Sequence, residues 1–156
     1  KMALCVAHHR ELLNGYNRLN LSGADSLKSL TYLNHLVDLT HLNLSNCRQL
    51  SDLTGLANLT QLKELNLSFC YITNLNGIES LTQLTHLTLS DCKKLTDITP
   101  LANLNAMEFL DVRYCPKIKD ITPLIGLKSL YTLQIRKSRN LDLTPLESIP
   151  NLKIVG

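Results

Sequence analysis

One motif recurs along this chain and excludes most folds at once. The stretch Leu84 to Asn105 reads L-x-x-L-x-L-x-x-C-x-x-L-x-D-I-x-x-L-x-x-L. The same pattern precedes it from Leu39 (Leu42, Leu44, Cys47, Leu50) and follows it from Met107 (Leu110, Val112, Cys115, Ile118). Copies start at Tyr16, Leu39, Leu62, Leu84, Met107, Leu130 and Leu152, in steps of 23, 23, 22, 23, 23 and 22 residues. A fixed period of this size means stacked units, none of which buries its apolar side alone. Each unit is stabilised by its neighbours rather than by a central core.

Within each copy the segment x-x-L-x-L alternates apolar and polar residues, the period of a half-buried strand. Leu65 and Leu67 are predicted to point inward, and Glu64, Asn66 and Ser68 outward. Repetition places successive strands side by side and parallel, about 4.8 Å apart. The rest of each copy crosses the outside. In Asp97-Ile98-Thr99-Pro100-Leu101 and Asp120-Ile121-Thr122-Pro123-Leu124, Pro follows a cap-type residue and suits the first helical position. A single helical or 3-10 turn is predicted there, with Leu101, Leu104, Leu124 and Leu127 inward. The copies at Leu62 and Leu130 are one residue shorter, which should only tighten the outer loop.

The signature is that of the leucine-rich repeat, and it spans residues 16–156. The run Leu95-Thr96-Asp97-Ile98-Thr99-Pro100-Leu101-Ala102-Asn103-Leu104 resembles the repeat of bacterial internalins. It is also similar to the repeats of the phosphatase-1 regulatory leucine-rich protein. Those families usually carry Asn at the ninth position, where this chain has Cys47, Cys70, Cys92 and Cys115. The cysteines resemble those of the cysteine-containing subfamily and related parasite repeat proteins. The resemblance implies an α/β class fold: a right-handed solenoid with parallel strands on the concave face and short helical or 3-10 turns on the convex face. It also implies partner binding through the concave face.

Residues 1–15 carry no repeat. Met2, Cys5, Val6, His9, Leu12 and Leu13 fall at helical spacing, and Gly15 sits where a helix would end. A helical cap on the first repeat is expected. His8 and His9 interrupt its apolar stretch, which reads as neither a signal peptide nor a membrane span.

The four ninth-position cysteines read as a buried column of free thiols, because small, weakly polar residues in register behave as small hydrophobes. Stacked parallel side chains do not present disulfide geometry. Free thiols favour a reducing compartment. Asn20, Asn43, Asn58 and Asn66 all begin N-x-[ST] acceptor patterns, and glycans on the wall would block it. A cytoplasmic location is therefore expected, with a bacterial or parasite surface or secreted protein as the alternative.

No phosphate-binding Gly loop, H-E-x-x-H, G-x-S-x-G or Cys-x-x-Cys is present, so neither enzyme activity nor a cofactor is expected. His41, Glu64 and His86 occupy one outward column, the outer two about 9.6 Å apart at two strand spacings. They read as a solvated polar row rather than a metal site. Net charge is +3, from 16 basic and 13 acidic residues, too balanced to indicate nucleic acid or membrane as partner.

The outward columns differ between the two halves. The N-terminal half is small and polar, mainly Asn and Ser with little charge. The C-terminal half concentrates Phe109, Asp111, Arg113, Tyr114, Tyr131, Arg136 and Lys137, with Phe69 ahead of them. Tyr, Phe and Arg are what protein interfaces enrich. These eight residues form the expected partner-binding patch of a non-catalytic protein-interaction module. The alternative is a structural or spacer fragment of a longer array. At the C-terminus, five residues of a seventh copy cannot cover the apolar set of the sixth. Either the natural protein continues past Gly156, or this end associates with another copy.

Overall fold

The computed structural model describes residues 17–136 and 141–156. The helical cap expected at 1–15, the repeat start at Tyr16, and Lys137 of the expected patch lie outside the described residues.

Seven three-residue strands form one parallel sheet in chain order: β1 Arg18–Asn20, β2 His41–Asn43, β3 Glu64–Asn66, β4 His86–Thr88, β5 Phe109–Asp111, β6 Thr132–Gln134 and β7 Lys153–Val155. The first five pairings align the same repeat position, as in Leu42 with Leu65, Leu65 with Leu87, and Leu87 with Leu110. In the sixth, Leu133 pairs with Ile154, so the last copy is in register from Asn151 and not from Leu152 as expected. The chain folds as a leucine-rich-repeat solenoid with the sheet as its concave wall.

Beyond each strand the apolar residues recur every third position, and the backbone explains why. Leu50 N donates to Cys47 O, Leu56 N to Leu53 O, Leu59 N to Leu56 O and Leu62 N to Leu59 O, at 2.8 to 3.0 Å. Three-residue turns eclipse side chains at i and i+3. Each turn therefore returns a Leu to the same inward side. Leu50, Leu56, Leu59 and Leu62 are fully buried, as are their counterparts Leu95, Leu101, Leu104 and Met107. Burying one such side chain stabilises the fold by about 1.5–3 kcal/mol.

The 3-10 turns at Thr99–Leu101 and Thr122–Leu124 hold Pro near their start, as expected. The capping group is a different one. Thr99 makes no cap; the Asp97 carboxylate, two residues earlier, accepts the Thr99 N–H at 2.9 Å. Asp52, Asp120 and Asp142 do the same for Thr54, Thr122 and Thr144. One of the two short copies also departs from expectation. That at Leu130 keeps a turn, Thr144–Ser148. That at Leu62 has no 3-10 helix between Thr54–Leu56 and Thr99–Leu101. There Asn76-Gly77 replaces Thr-Pro, and a single turn closed by Ile78 N donating to Leu75 O at 3.2 Å takes its place, with Gly77 at φ 108°.

Beside β7, Leu141, Leu143, Leu146, Ile149, Leu152 and Ile154 line an open hollow. Ile154 and Val155 are exposed.

Candidate partner-binding face

The outward columns of the sheet can now be taken one by one. In the third, Arg18 Nη2 lies 3.0 Å from His41 Nε2, and His41 Nε2 lies 3.3 Å from Glu64 Oε1. His86 turns the other way and stacks on Phe109, ring centroids 5.7 Å apart and planes at 20°. Glu64, Asn66, His86, Thr88 and Phe109 line a shallow hollow on the wall. The row of His41, Glu64 and His86 thus divides into a polar cluster and an aromatic one. Among the described residues no three His, Cys, Asp or Glu side chains group as metal ligands.

The fifth column is architectural. Asn20, Asn43 and Asn66 each accept the N–H of the serine two residues on, at 2.9 to 3.0 Å. These Asx turns fix the exit of each strand. Asp111 occupies the same place and accepts Arg113 N–H at 2.9 Å. It also binds the Arg113 side chain through Nε at 3.0 Å and Nη2 at 2.8 Å. Asp111 was expected to be a partner contact. It is 2% exposed, because the guanidinium lies over it and its backbone duty holds it down. The Asp111 carboxylate in turn pushes the Arg113 guanidinium above its ordinary value, by hydrogen bonding first and charge second. Ser68, expected to face outward, is also buried and accepts from the Ser90 hydroxyl at 3.2 Å.

The eighth column carries the exposed aromatics. Phe69 and Tyr114 stand half exposed, and the Arg136 guanidinium lies 5.1 Å from the Tyr114 ring centre. Tyr131, just before β6, is 62% exposed. The structure therefore joins Phe109 to His86, Tyr114 to Arg136 and Asp111 to Arg113, and leaves Phe69 apart. Two pairings were not legible in the sequence: His86 stacked on Phe109, and Tyr71 with Lys94 Nζ 4.8 Å from its ring centre. Both pairs cross between repeats, so only the aligned columns reveal them.

The ninth column is the thiol column. Cys47, Cys70, Cys92 and Cys115 are free and buried. Burial pushes the Cys70 thiol up to about 11 and the Cys115 thiol up to about 12. Such thiols stay protonated and have no nucleophilic role at neutral pH. No helix among the described residues is long and apolar enough to cross a membrane.

This chain is a leucine-rich repeat protein. A family model described as leucine-rich repeats in two copies matches residues 60–103. Among solved structures, it is similar to an internalin (InlF) from Listeria monocytogenes, at 31% identity and a TM-score of 0.73, over 82% of this chain. The chain spans 37% of that internalin. Internalin C2 (InlC2) from the same organism is 29% identical with a TM-score of 0.61, covering 92% of this chain and 71% of its own. A TLR13–ssRNA13 complex shares the fold at 23% identity and a TM-score of 0.65, over 81% of this chain and 19% of that one. No curated protein matches the chain.

Proposed function

We propose that this chain is a non-catalytic protein-recognition module that binds a partner protein through the C-terminal half of its concave face. The observation that carries the reading is the asymmetry of the wall. In the N-terminal half, Asn20, Asn43 and Asn66 are spent on strand exits. In the C-terminal half, Phe109 on His86, Tyr114 under Arg136, and exposed Tyr131 offer broad apolar and cationic surface. Such side chains anchor protein interfaces. Phe69 and Arg113 extend this surface. Asp111 supports it from beneath.

The fold itself is the family's usual frame for binding other molecules, and no cofactor, nucleic acid or membrane enters this reading. A cytoplasmic setting goes with it, supported by the four unpaired thiols. The test is affinity capture from the source cells with intact protein and with a Phe109→Ala/Tyr131→Ala variant. Loss of a bound protein in the variant supports the reading. Identical capture by both favours the second reading, a spacer within a longer array. That reading draws on the open apolar hollow beside β7, which would seat a further repeat or another copy. Sedimentation of an Ile154→Lys/Val155→Lys variant against wild type checks for self-association there.

A further inference from the structure

Position eight of the repeat is left-handed in five consecutive copies: Gly23 at φ 70°, Asn46 at 60°, Phe69 at 62°, Asp91 at 59° and Tyr114 at 58°. In the first four of these copies the backbone goes with a bond to the next copy: Gly23 N donates to Ser45 O, Asn46 N to Ser68 O, Phe69 N to Ser90 O, and Asp91 N to Arg113 O. Gly, Asn and Asp visit this region at low cost, but a bulky side chain does not. Phe69 and Tyr114 nevertheless occupy it, and their rings stand half in solvent rather than in the core. Bulky rings kept at a backbone position that suits Gly, Asn or Asp, with half their surface in solvent, point to a use outside the fold.

The surface around the two rings is basic. Directly after the thiol column come Arg48, Lys93, Lys94 and Lys117, all exposed, and Arg113 and Arg136 lie just before position eight. Lys94 covers Tyr71, and Arg136 covers Tyr114. The acids on this flank are few. Asp25 stands at its N-terminal end, Asp91 lies 3.9 Å from Lys93, and Asp111 is buried against Arg113. Asp52, Asp97, Asp120 and Asp142 are engaged at the convex turns. The flank thus runs as a stripe of cations studded with exposed rings.

We propose that this flank binds an acidic segment of a partner protein, with Phe69 and Tyr114 as its anchors. The inference rests on the protein-recognition reading and gives the partner its chemistry. Carboxylates meet the lysines and arginines. The two rings stand about 10 Å apart at two strand spacings, with Asp91 of the intervening copy between them turned to Lys93 at 3.9 Å, and each ring takes an apolar part of the segment. Opposite charge on such a stripe accelerates encounter and makes the affinity fall with salt.

The experiment uses a fluorescein-labelled peptide of glutamate and tyrosine, followed by anisotropy and by ¹H–¹⁵N shifts of the full chain. Binding that weakens with salt and shifts Phe69, Tyr71, Lys94 and Tyr114 is expected. Phe69→Asn/Tyr114→Asn should weaken binding about tenfold or more, the usual loss for an aromatic anchor. The same variant should melt at a higher temperature than wild type, because Asn tolerates the left-handed backbone. Lys94→Ser/Arg136→Ser should also weaken binding, and Lys128→Ser on the convex side should not. Absence of peptide binding, shifts confined to other surfaces, tighter binding of a single-stranded oligouridylate, or a lower melting temperature for the Asn variant would each overturn the proposal. The Phe109→Ala/Tyr131→Ala variant keeps the two readings apart. If it loses its captured protein while the peptide never binds, the flank proposal alone has failed.

Discussion

The thiol of Cys92 donates to the main-chain carbonyl of Leu67 at 3.1 Å, across the boundary between two repeats. Cys47 does the same to Leu21, Cys70 to Leu44 and Cys115 to Leu89, at 3.0 to 3.2 Å. In each case the ninth position satisfies the carbonyl of the sixth position one copy back. The column therefore acts as a polar seam inside an apolar stack, and it accepts a weak donor of small volume.

Replacing Cys92 with Arg should cost about 3 kcal/mol or more, since an unpaired charge would enter the seam. Cys92→Ser keeps a donor and should be milder. Chemical denaturation of the two variants beside wild type measures the difference. A thiol reagent should modify Cys47, Cys70, Cys92 and Cys115 only as the protein unfolds. Rapid modification of all four in the folded state would refute the seam.

The same burial sets an alkaline limit. Folding raises Cys70 from 9.0 to about 11 and Cys115 from 9.0 to about 12. Between the unfolded and folded values the native state holds protons that the unfolded chain has released. Stability contributed by these thiols is complete below pH 9 and declines as pH rises through that window. Melting temperature measured from pH 8 to pH 11 should fall, and Cys70→Ala/Cys115→Ala should flatten the decline.

The convex Asp residues set the acid side. Hydrogen bonds from Thr99, side chain first and backbone second, hold the Asp97 carboxyl below its ordinary value. Asp52, Asp120 and Asp142 are lowered by the equivalent threonines. Their contribution is present above the ordinary carboxylate range and is lost as pH falls through the lowered values. Asp97→Ala should destabilise by about 1 kcal/mol, as for a lost helix cap, whereas Asp97→Asn retains the accepting oxygen and should lose less. Acid titrations followed by circular dichroism compare the three proteins.

Two glycines are held by neighbouring backbone. A Cβ on Gly55 would lie 2.3 Å from the Leu30 carbonyl carbon, and one on Gly77 would lie 2.5 Å from Leu53 O, with φ at 108° besides. Overpacking against backbone costs about 1–3 kcal/mol. Gly55→Ala and Gly77→Ala should each lower the melting temperature, whereas Gly126→Ala, whose Cβ would be 3.3 Å from Ala102 O, should be much milder. Differential scanning calorimetry of the three variants gives the ranking.

The period of 22 or 23 residues determined the repeat architecture, the parallel strands and the inward Leu columns without reference to any tertiary contact. A residue that recurs in register must face the same way in every copy, so Leu42, Leu65 and Leu87 carry one instruction. The buried cysteines were legible for the same reason. Only the tertiary structure decided what each outward residue does, because that depends on neighbours in other copies. Asp111 and Arg113 looked like two exposed charges and proved to be one closed pair. His86 looked like a member of a polar row and stacks on Phe109. The replacement of the convex 3-10 helix after Leu62 by a single turn follows from Asn76-Gly77, a local signal that the repeat alignment concealed. The left-handed backbone of Phe69 and Tyr114 was foreshadowed by Gly23, Asn46 and Asp91 in the same column. Only the folded stack, with Phe69 N bonded to Ser90 O of the next copy, shows that conformation on two aromatic residues that would not adopt it alone.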